Sequence, residues 1–130
     1  IIDRFKKKLK DFSNFHLYTS NESISGQAEY IRDGLNFNQW YGNMLSMMKE
    51  NIPAEIHNMA TINALCLETL PQFLENIVQL KTVSKLHGPS LNFTLNILRF
   101  PSFQSPLVLP DDLRNLFKQN LEKFLTKKSE

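Results

Sequence analysis

The strongest constraint on the fold is an alternation of short strand-like runs with longer amphipathic segments. Three runs rich in β-branched and aromatic residues, at 15–20, 56–64 and 92–99, are separated by apolar residues at helical spacing. Strands joined by helices of this length form right-handed crossovers and therefore a parallel sheet. We predict an α/β fold with the order α-β-α-β-α-β-α, that is, three parallel strands and four helices.

Capping patterns predict where the helices begin. Asn36 and Thr69 each stand three residues before a glutamine, the spacing of a capping box. Asp111 follows a proline-rich loop that can continue neither a strand nor a helix, and it starts the last helix. The first helix is predicted over residues 2–12.

Composition excludes several classes of protein. A chain of 130 residues, 42% hydrophobic and 22% charged, is typical of one globular domain, here residues 1–130. The net charge of +2 is too small to indicate nucleic-acid binding, and the run FKKKLK alternates with apolar residues as a solvated helix face does, rather than as a phosphate patch. No apolar run approaches the roughly 18 to 20 residues of a membrane span, and no signal-peptide layout is present. We expect a soluble, cytoplasmic protein without nucleic-acid or membrane partners.

The residues that most often perform catalysis or bind metals are sparse. Cys66 is the single cysteine, which excludes an internal disulfide framework and a cysteine-based zinc site, and its apolar neighbours indicate burial. His16, His57 and His87 are far apart in sequence and lack an i, i+4 partner, so we expect structural or solvent-facing roles and no metal ligand. Glycine-rich phosphate loops and nucleophile elbows are absent, and no catalytic residue is predicted.

Polar side chains follow each predicted strand. Ligands of parallel α/β folds bind beyond the carboxyl ends of the strands, so Ser20, Asn63 and Arg99 are candidates for a site. The first of these loops lies in LYTSNESISGQAEYIRDGLNFNQW, residues 17–40, and is longer than the usual connection of about 2 to 6 residues. The alternative is that these residues are helix caps and turn formers.

Three segments carry a resemblance to a known family. In order, YTSNESISGQAEYIRDGLNFNQW, NMATINALCLETLPQFLENIVQLK and LNILRFPSFQSPLVLP resemble the second half of a radical S-adenosylmethionine (radical SAM) enzyme core of the SPASM or twitch type. In that family the fourth strand often ends in Ser-x-Asp-Gly. Ser20, Asn21 and Glu22 stand at the matching place, with Glu for Asp and no following Gly. The Arg-Asp-Gly beginning at Arg32 resembles the family's Arg-Gly turn, and Asn63 resembles the Asn near the end of its fifth strand.

The resemblance implies a partial (β/α) barrel fragment that binds S-adenosylmethionine at the strand carboxyl ends. Arg32 would hold the methionine carboxylate, Ser20 and Asn63 the carboxylate or ribose, and the backbone near Leu98 the adenine. The alternative is a surface arginine with capping serine and asparagine. The predicted cofactor-binding residues are Ser20, Asn21, Glu22, Arg32, Asn63, Leu98 and Arg99.

One departure from the family concerns its [4Fe-4S] cluster, which three cysteines of a CxxxCxxC loop hold. Cys66 alone cannot ligate a cluster in that way. Since the chain opens in mid-helix without Met, we expect a missing N-terminal half, the other possibility being a degenerate inactive relative. The complete enzyme would use a reductant to cleave S-adenosylmethionine to a 5'-deoxyadenosyl radical and act on an unknown peptide or small molecule. The fragment itself would be inactive, and the alternative function is a noncatalytic α/β binding or interaction module.

Overall fold

A parallel sheet forms the centre of the fold. The computed structural model describes residues 2–9, 11–12, 14–52 and 54–129. Within them the sheet has three strands in sequential order, and both neighbouring pairs are parallel. The predicted parallel α/β architecture is therefore confirmed. The strands are β1 (His16–Ser20), β2 (Glu55–Ile62) and β3 (Ser90–Ile97).

Five α-helices lie in the described ranges, one more than predicted. The additional helix is Ser25–Ile31, inside the long first connection, where no side chain caps its start and the sequence therefore carries no capping signal. The first helix ends at Leu9 rather than near residue 12, and residue 10 lies outside the described residues. The helices are α1 (Ile2–Leu9), α2 (Ser25–Ile31), α3 (Phe37–Glu50), α4 (Leu70–His87) and α5 (Asp111–Ser129), with short 3-10 turns at Ser102–Gln104 and Pro106–Val108.

The two predicted capping boxes have different outcomes. The Asn36 side chain accepts a hydrogen bond from the backbone N–H of Gln39 at 2.8 Å, which confirms a cap at the start of α3. Thr69 stands at the N-cap of α4, which begins at Leu70 with Pro71 in its first turn, so the predicted start is confirmed, but the Thr69 side chain makes no capping hydrogen bond. Its hydroxyl instead shares a 2.6 Å hydrogen bond with the hydroxyl of Ser23, and this contact ties the loop after β1 to the start of α4.

In the part of the chain that the structure describes, the helices that bury the sheet pack against one of its faces. Met48 of α3 and Phe73 of α4 belong to the same buried cluster as Ile56 and Ala60 of β2. Side chains alternate between the two faces of a strand, and Met59, which lies between buried neighbours in β2, is 39% exposed. We call the face that carries Met59 the open face.

The last helix is only partly packed against the rest of the protein. Phe117 and Leu121 contact the core cluster, whereas Leu116 and Leu125 are largely exposed. Although α5 has 19 residues, no helix in the described ranges combines the length and apolar character required to cross a membrane.

Candidate functional site

The carboxyl ends of the strands are staggered. Ser20, the last residue of β1, is paired with Met59, whereas β2 and β3 continue together to Ile62 and Ile97. Asn63 comes four positions after Met59, a distance of about 13 Å along an extended strand. The predicted site residues thus share one edge of the sheet, but Ser20 is set back from Asn63.

The segment that follows β1 is folded into the protein interior. Asn21, Glu22 and Ser23 are each at most 2% exposed. The side-chain carbonyl of Asn21 accepts hydrogen bonds from the backbone N–H groups of Glu22 and Ser23, at 3.0 and 3.4 Å. Asn58 of β2 donates its amide to the backbone carbonyl of Asn21 at 3.0 Å, so this turn is fixed to the neighbouring strand. Among the described residues, Asn21 Nδ2 and Asn58 Oδ1 remain without a hydrogen-bond partner.

Glu22 and Arg32 form an ion pair. Arg32 donates from Nη2 to Glu22 Oε2 at 2.6 Å and from Nε to Glu22 Oε1 at 3.1 Å. The Glu22 side chain is 3% exposed and that of Arg32 is 32% exposed. The predicted role of Arg32, to hold the carboxylate of a ligand, stays a prediction, and the structure adds that Glu22 already neutralises much of its charge. Nη1 has no partner among the described residues and is the part of the guanidinium still open to a ligand.

Asn63 is occupied by its own turn. Its Oδ1 accepts hydrogen bonds from the backbone N–H groups of Leu65 and Cys66, at 2.9 and 3.1 Å. Its Nδ2 donates to the carbonyl of Thr61 at 3.3 Å. An asparagine that bonds nearby backbone in this way stabilises a turn. These contacts match the turn-former alternative, and a ligand-binding role for Asn63 stays a prediction.

Cys66 is buried, as the sequence predicts. The pKa of its thiol is raised to about 11, chiefly by burial and to a smaller extent by the nearby Glu22 carboxylate, while a hydrogen bond with the Asn63 backbone acts in the opposite direction. The thiol is therefore protonated at neutral pH. Since metals bind the thiolate and a [4Fe-4S] cluster requires several of them, the residues of this chain do not fit such a cluster.

Other polar groups at the carboxyl edge remain open to a ligand. The N–H of Leu98 donates to the carbonyl of Ile62 at 2.9 Å, so the ladder between β2 and β3 extends one residue past Ile97. Arg99 is exposed, and neither its guanidinium nor the Ser20 hydroxyl has a hydrogen-bond partner among the described residues. A hydroxyl, a guanidinium and backbone groups are the types of donor and acceptor that a ribose and a carboxylate require, and binding of S-adenosylmethionine by these residues stays a prediction.

Two surface grooves lie along α5. One runs along α5 between Gln119 and Lys127, and a second lies between α5 and the start of α4, near Gln72 and Glu75. Their linings are mainly charged and polar side chains of two helices and include none of the predicted site residues. We therefore assign the candidate site to the strand ends and not to these grooves.

A second cluster lies at the opposite end of the open face. His16, Glu55 and His57 come together there, and sequence analysis did not group them. Glu55 and His57 stand two positions apart on one strand, which places them on one face and could have been recognised. The proximity of His16 depends on its pairing with Glu55, which only the assembled sheet provides.

Comparisons with known proteins identify no relatives. No protein-family model matches the chain, and no curated protein or solved structure matches it. The assignment of function therefore depends on the fold and on the residues described above.

Proposed function

We propose that this chain is the second half of a radical SAM barrel, contributing three consecutive β/α units and part of the S-adenosylmethionine site. The observation that carries the proposal is the sequential parallel order of β1, β2 and β3, with the described helices packed against a single face of the sheet. Parallel sheets usually have both faces covered. A parallel sheet with helices only on its outer side is the arrangement of a barrel wall, whose inner face is enclosed when further strands complete the barrel.

Exposed apolar side chains near β3 support a missing neighbour. Leu95 and Ile97 lie on the helix-facing side of β3, since they pair with Ala60 and Ile62, yet they are 54% and 58% exposed. Phe100, just beyond the strand, is 85% exposed. Contiguous apolar surface of this kind marks a surface that another element covers. A further β/α unit or a C-terminal extension would do so here.

The proposed roles follow from the open groups at the carboxyl edge. Ser20 binds a ribose hydroxyl, the backbone carbonyl of Leu98 accepts a hydrogen bond from the adenine amino group, and Arg99 attracts the carboxylate. Glu22 orients Arg32 so that Nη1 reaches the same carboxylate. S-adenosylmethionine held by these residues would supply a carbon-centred radical on one-electron reductive cleavage of its sulfonium bond, with the electron coming from a reductant outside this chain.

The proposed setting is the cytoplasm, because cysteine thiols remain reduced there. The half of the barrel that lies outside this chain would carry the cluster loop, and its cysteines must be reduced. The proposal also requires a reductant and expects a CxxxCxxC loop on the part that completes the barrel. The substrate is a peptide or a small molecule.

A specific observation favours the second candidate, a noncatalytic α/β binding or interaction module. The Asn63 amide and most of the Arg32 guanidinium are used within the chain. Under this alternative the strand ends are structural turns, and the open face contacts another protein.

Titration of S-adenosylmethionine into the ¹⁵N-labelled chain distinguishes the two candidates. We expect amide shifts confined to residues 20–22, 97–99 and the neighbourhood of Arg32, weakened in Ser20→Ala and Arg99→Ala. Lys49→Ala is the control for the loss of a positive charge, because Lys49 lies in the last turn of α3, which leads into the amino end of β2. Absence of localised shifts at millimolar ligand, or equal weakening in Lys49→Ala, would contradict the proposal.

A further inference from the structure

Three potential metal ligands converge on the open face at the amino end of the sheet. Glu55 Oε2 lies 2.9 Å from His57 Nε2 and 3.4 Å from His16 Nδ1. Each residue offers one ligand atom, and these atoms all lie within 4.8 Å of one another. His16 and Glu55 are paired across β1 and β2, while His57 follows Glu55 on the same face of β2. The backbone therefore fixes the three residues as neighbours.

Contacts from all three strands position the cluster. Asn92 of β3 donates its amide to Glu55 Oε2 at 3.4 Å. Tyr18 stacks on the His57 ring with centroids 4.5 Å apart, and the His16 ring lies 5.7 Å from His57 on nearly parallel planes. The side chains remain accessible, at 43% exposure for His16, 38% for Glu55 and 22% for His57. An ion could thus enter from solvent, and surrounding groups already orient two of the three ligands.

We propose that His16, Glu55 and His57 bind a divalent transition-metal ion, with Zn²⁺ the ion that suits them best. Two imidazoles and one carboxylate form a ligand set that Zn²⁺ uses, whereas Ca²⁺ and Mg²⁺ prefer oxygen ligands alone. Bonds of about 2.1 Å in a tetrahedral zinc site place neighbouring ligand atoms about 3.4 Å apart. The 3.4 Å separation between Glu55 Oε2 and His16 Nδ1 matches that value, and the 2.9 Å hydrogen bond between Glu55 Oε2 and His57 Nε2 would lengthen slightly on binding.

Binding requires one local rearrangement. An imidazole coordinates in the plane of its ring, and the rings of His16 and His57 are stacked. The more exposed His16 ring turns about its Cβ–Cγ bond, a torsion with a broad energy minimum, so that Nδ1 faces the ion. Tyr18 holds His57 in place during this rotation.

Three protein ligands leave the fourth position of a tetrahedral ion for water or another small ligand. The site is also separate from the proposed cofactor site. His16 and Ser20 are at opposite ends of β1, four residues or about 13 Å apart. The metal proposal therefore does not depend on the radical SAM proposal.

Calorimetric titration of Zn²⁺ into the chain tests the site, together with visible spectroscopy of the Co²⁺-substituted form. We expect one ion per chain and affinities at least tenfold weaker in His16→Ala and Glu55→Gln. Asn92→Ala is expected to weaken binding about tenfold through the orientation of Glu55. His87→Ala, which removes the third histidine of the sequence, serves as the matched control and should retain full affinity.

Several outcomes would overturn the proposal: no stoichiometric binding, unchanged affinity in His16→Ala or Glu55→Gln, loss of binding in His87→Ala, or a thiolate charge-transfer band assignable to Cys66. Circular dichroism and thermal melting of each metal-free variant check that it is folded. A measurement on the unaltered chain gives an independent answer. Zn²⁺ should shift the ring ¹⁵N resonances of two of the three histidines, and any other number contradicts the assignment.

Discussion

The guanidinium of Arg32 covers the buried carboxylate of Glu22, with its closest contact at 2.6 Å. Ten positions of sequence separate the two residues, and α2 lies between them. Leaving a carboxylate unpaired inside a protein is costly, so the chain after β1 must return to the strand tip before α3 begins. This contact gives the long first connection a structural reason, whether or not a cofactor also binds there.

Loss of Arg32 should therefore reduce stability. We expect Arg32→Ala to lower the free energy of unfolding by about 2 to 3 kcal/mol, below the range for fully buried pairs because the guanidinium is partly exposed. Urea denaturation measures this, and Arg99→Ala should stay within about 0.5 kcal/mol because Arg99 is exposed. The double variant Glu22→Gln with Arg32→Ala should lose less than the sum of the single losses. A change in Arg32→Ala no larger than that in Arg99→Ala would contradict the ion pair.

Gly88 stands where the end of α4 approaches the end of α3. A Cβ added at Gly88 would lie 2.4 Å from the backbone carbonyl oxygen of Met48, which a small side-chain movement cannot relieve. Gly88→Ala should thus cost about 1 to 3 kcal/mol. Gly42→Ala is the matched control, because a Cβ there meets nothing within 4 Å and alanine favours the α3 helix by about 0.5 to 1 kcal/mol. Thermal melts should move in opposite directions, and an unchanged melting temperature in Gly88→Ala would disprove the close approach.

The Cys66 thiol should be unreactive while the protein is folded. Its pKa is raised from 9.0 to about 11, so at pH 8 the folded thiolate fraction is about a hundredfold below that of the unfolded chain. Labelling with a thiol reagent, with and without urea, measures the difference. The folded state holds the proton more tightly, so its stabilising contribution is present below pH 9.0 and is lost as the pH rises towards about 11. Rapid labelling of the folded chain would contradict this environment.

Reconstitution of the chain with iron and sulfide under anaerobic conditions should not produce the visible absorbance of an iron-sulfur centre. The reason is that Cys66 is the sole cysteine and is buried as a thiol. For the same reason the chain alone should not cleave S-adenosylmethionine, as product chromatography would show. Either signal, in a sample free of contaminating iron-sulfur proteins, would overturn the ligand argument.

The sequence was sufficient for features that depend on local patterns. Alternating strand-like and amphipathic segments predicted the parallel α/β order, Asn36 predicted the start of α3, and the apolar neighbours of Cys66 predicted its burial. These succeeded because periodicity and caps are properties of neighbouring residues. The seven-residue α2 was missed since it has no side-chain cap. Thr69 does stand at the start of α4, but its predicted capping hydrogen bond is absent because Ser23 bonds its hydroxyl.

Only the tertiary structure decided which distant side chains meet. The pairing of β1 with β2 places His16 beside Glu55, and the return of the chain through α2 places Arg32 on Glu22. Strand register and loop path are set by the burial of helix-facing side chains across the whole sheet. The charged residues that these paths bring together do not set them. The sequence therefore determined what kind of fold this chain adopts and which polar residues follow its strands, while packing determined the partners of each charged side chain.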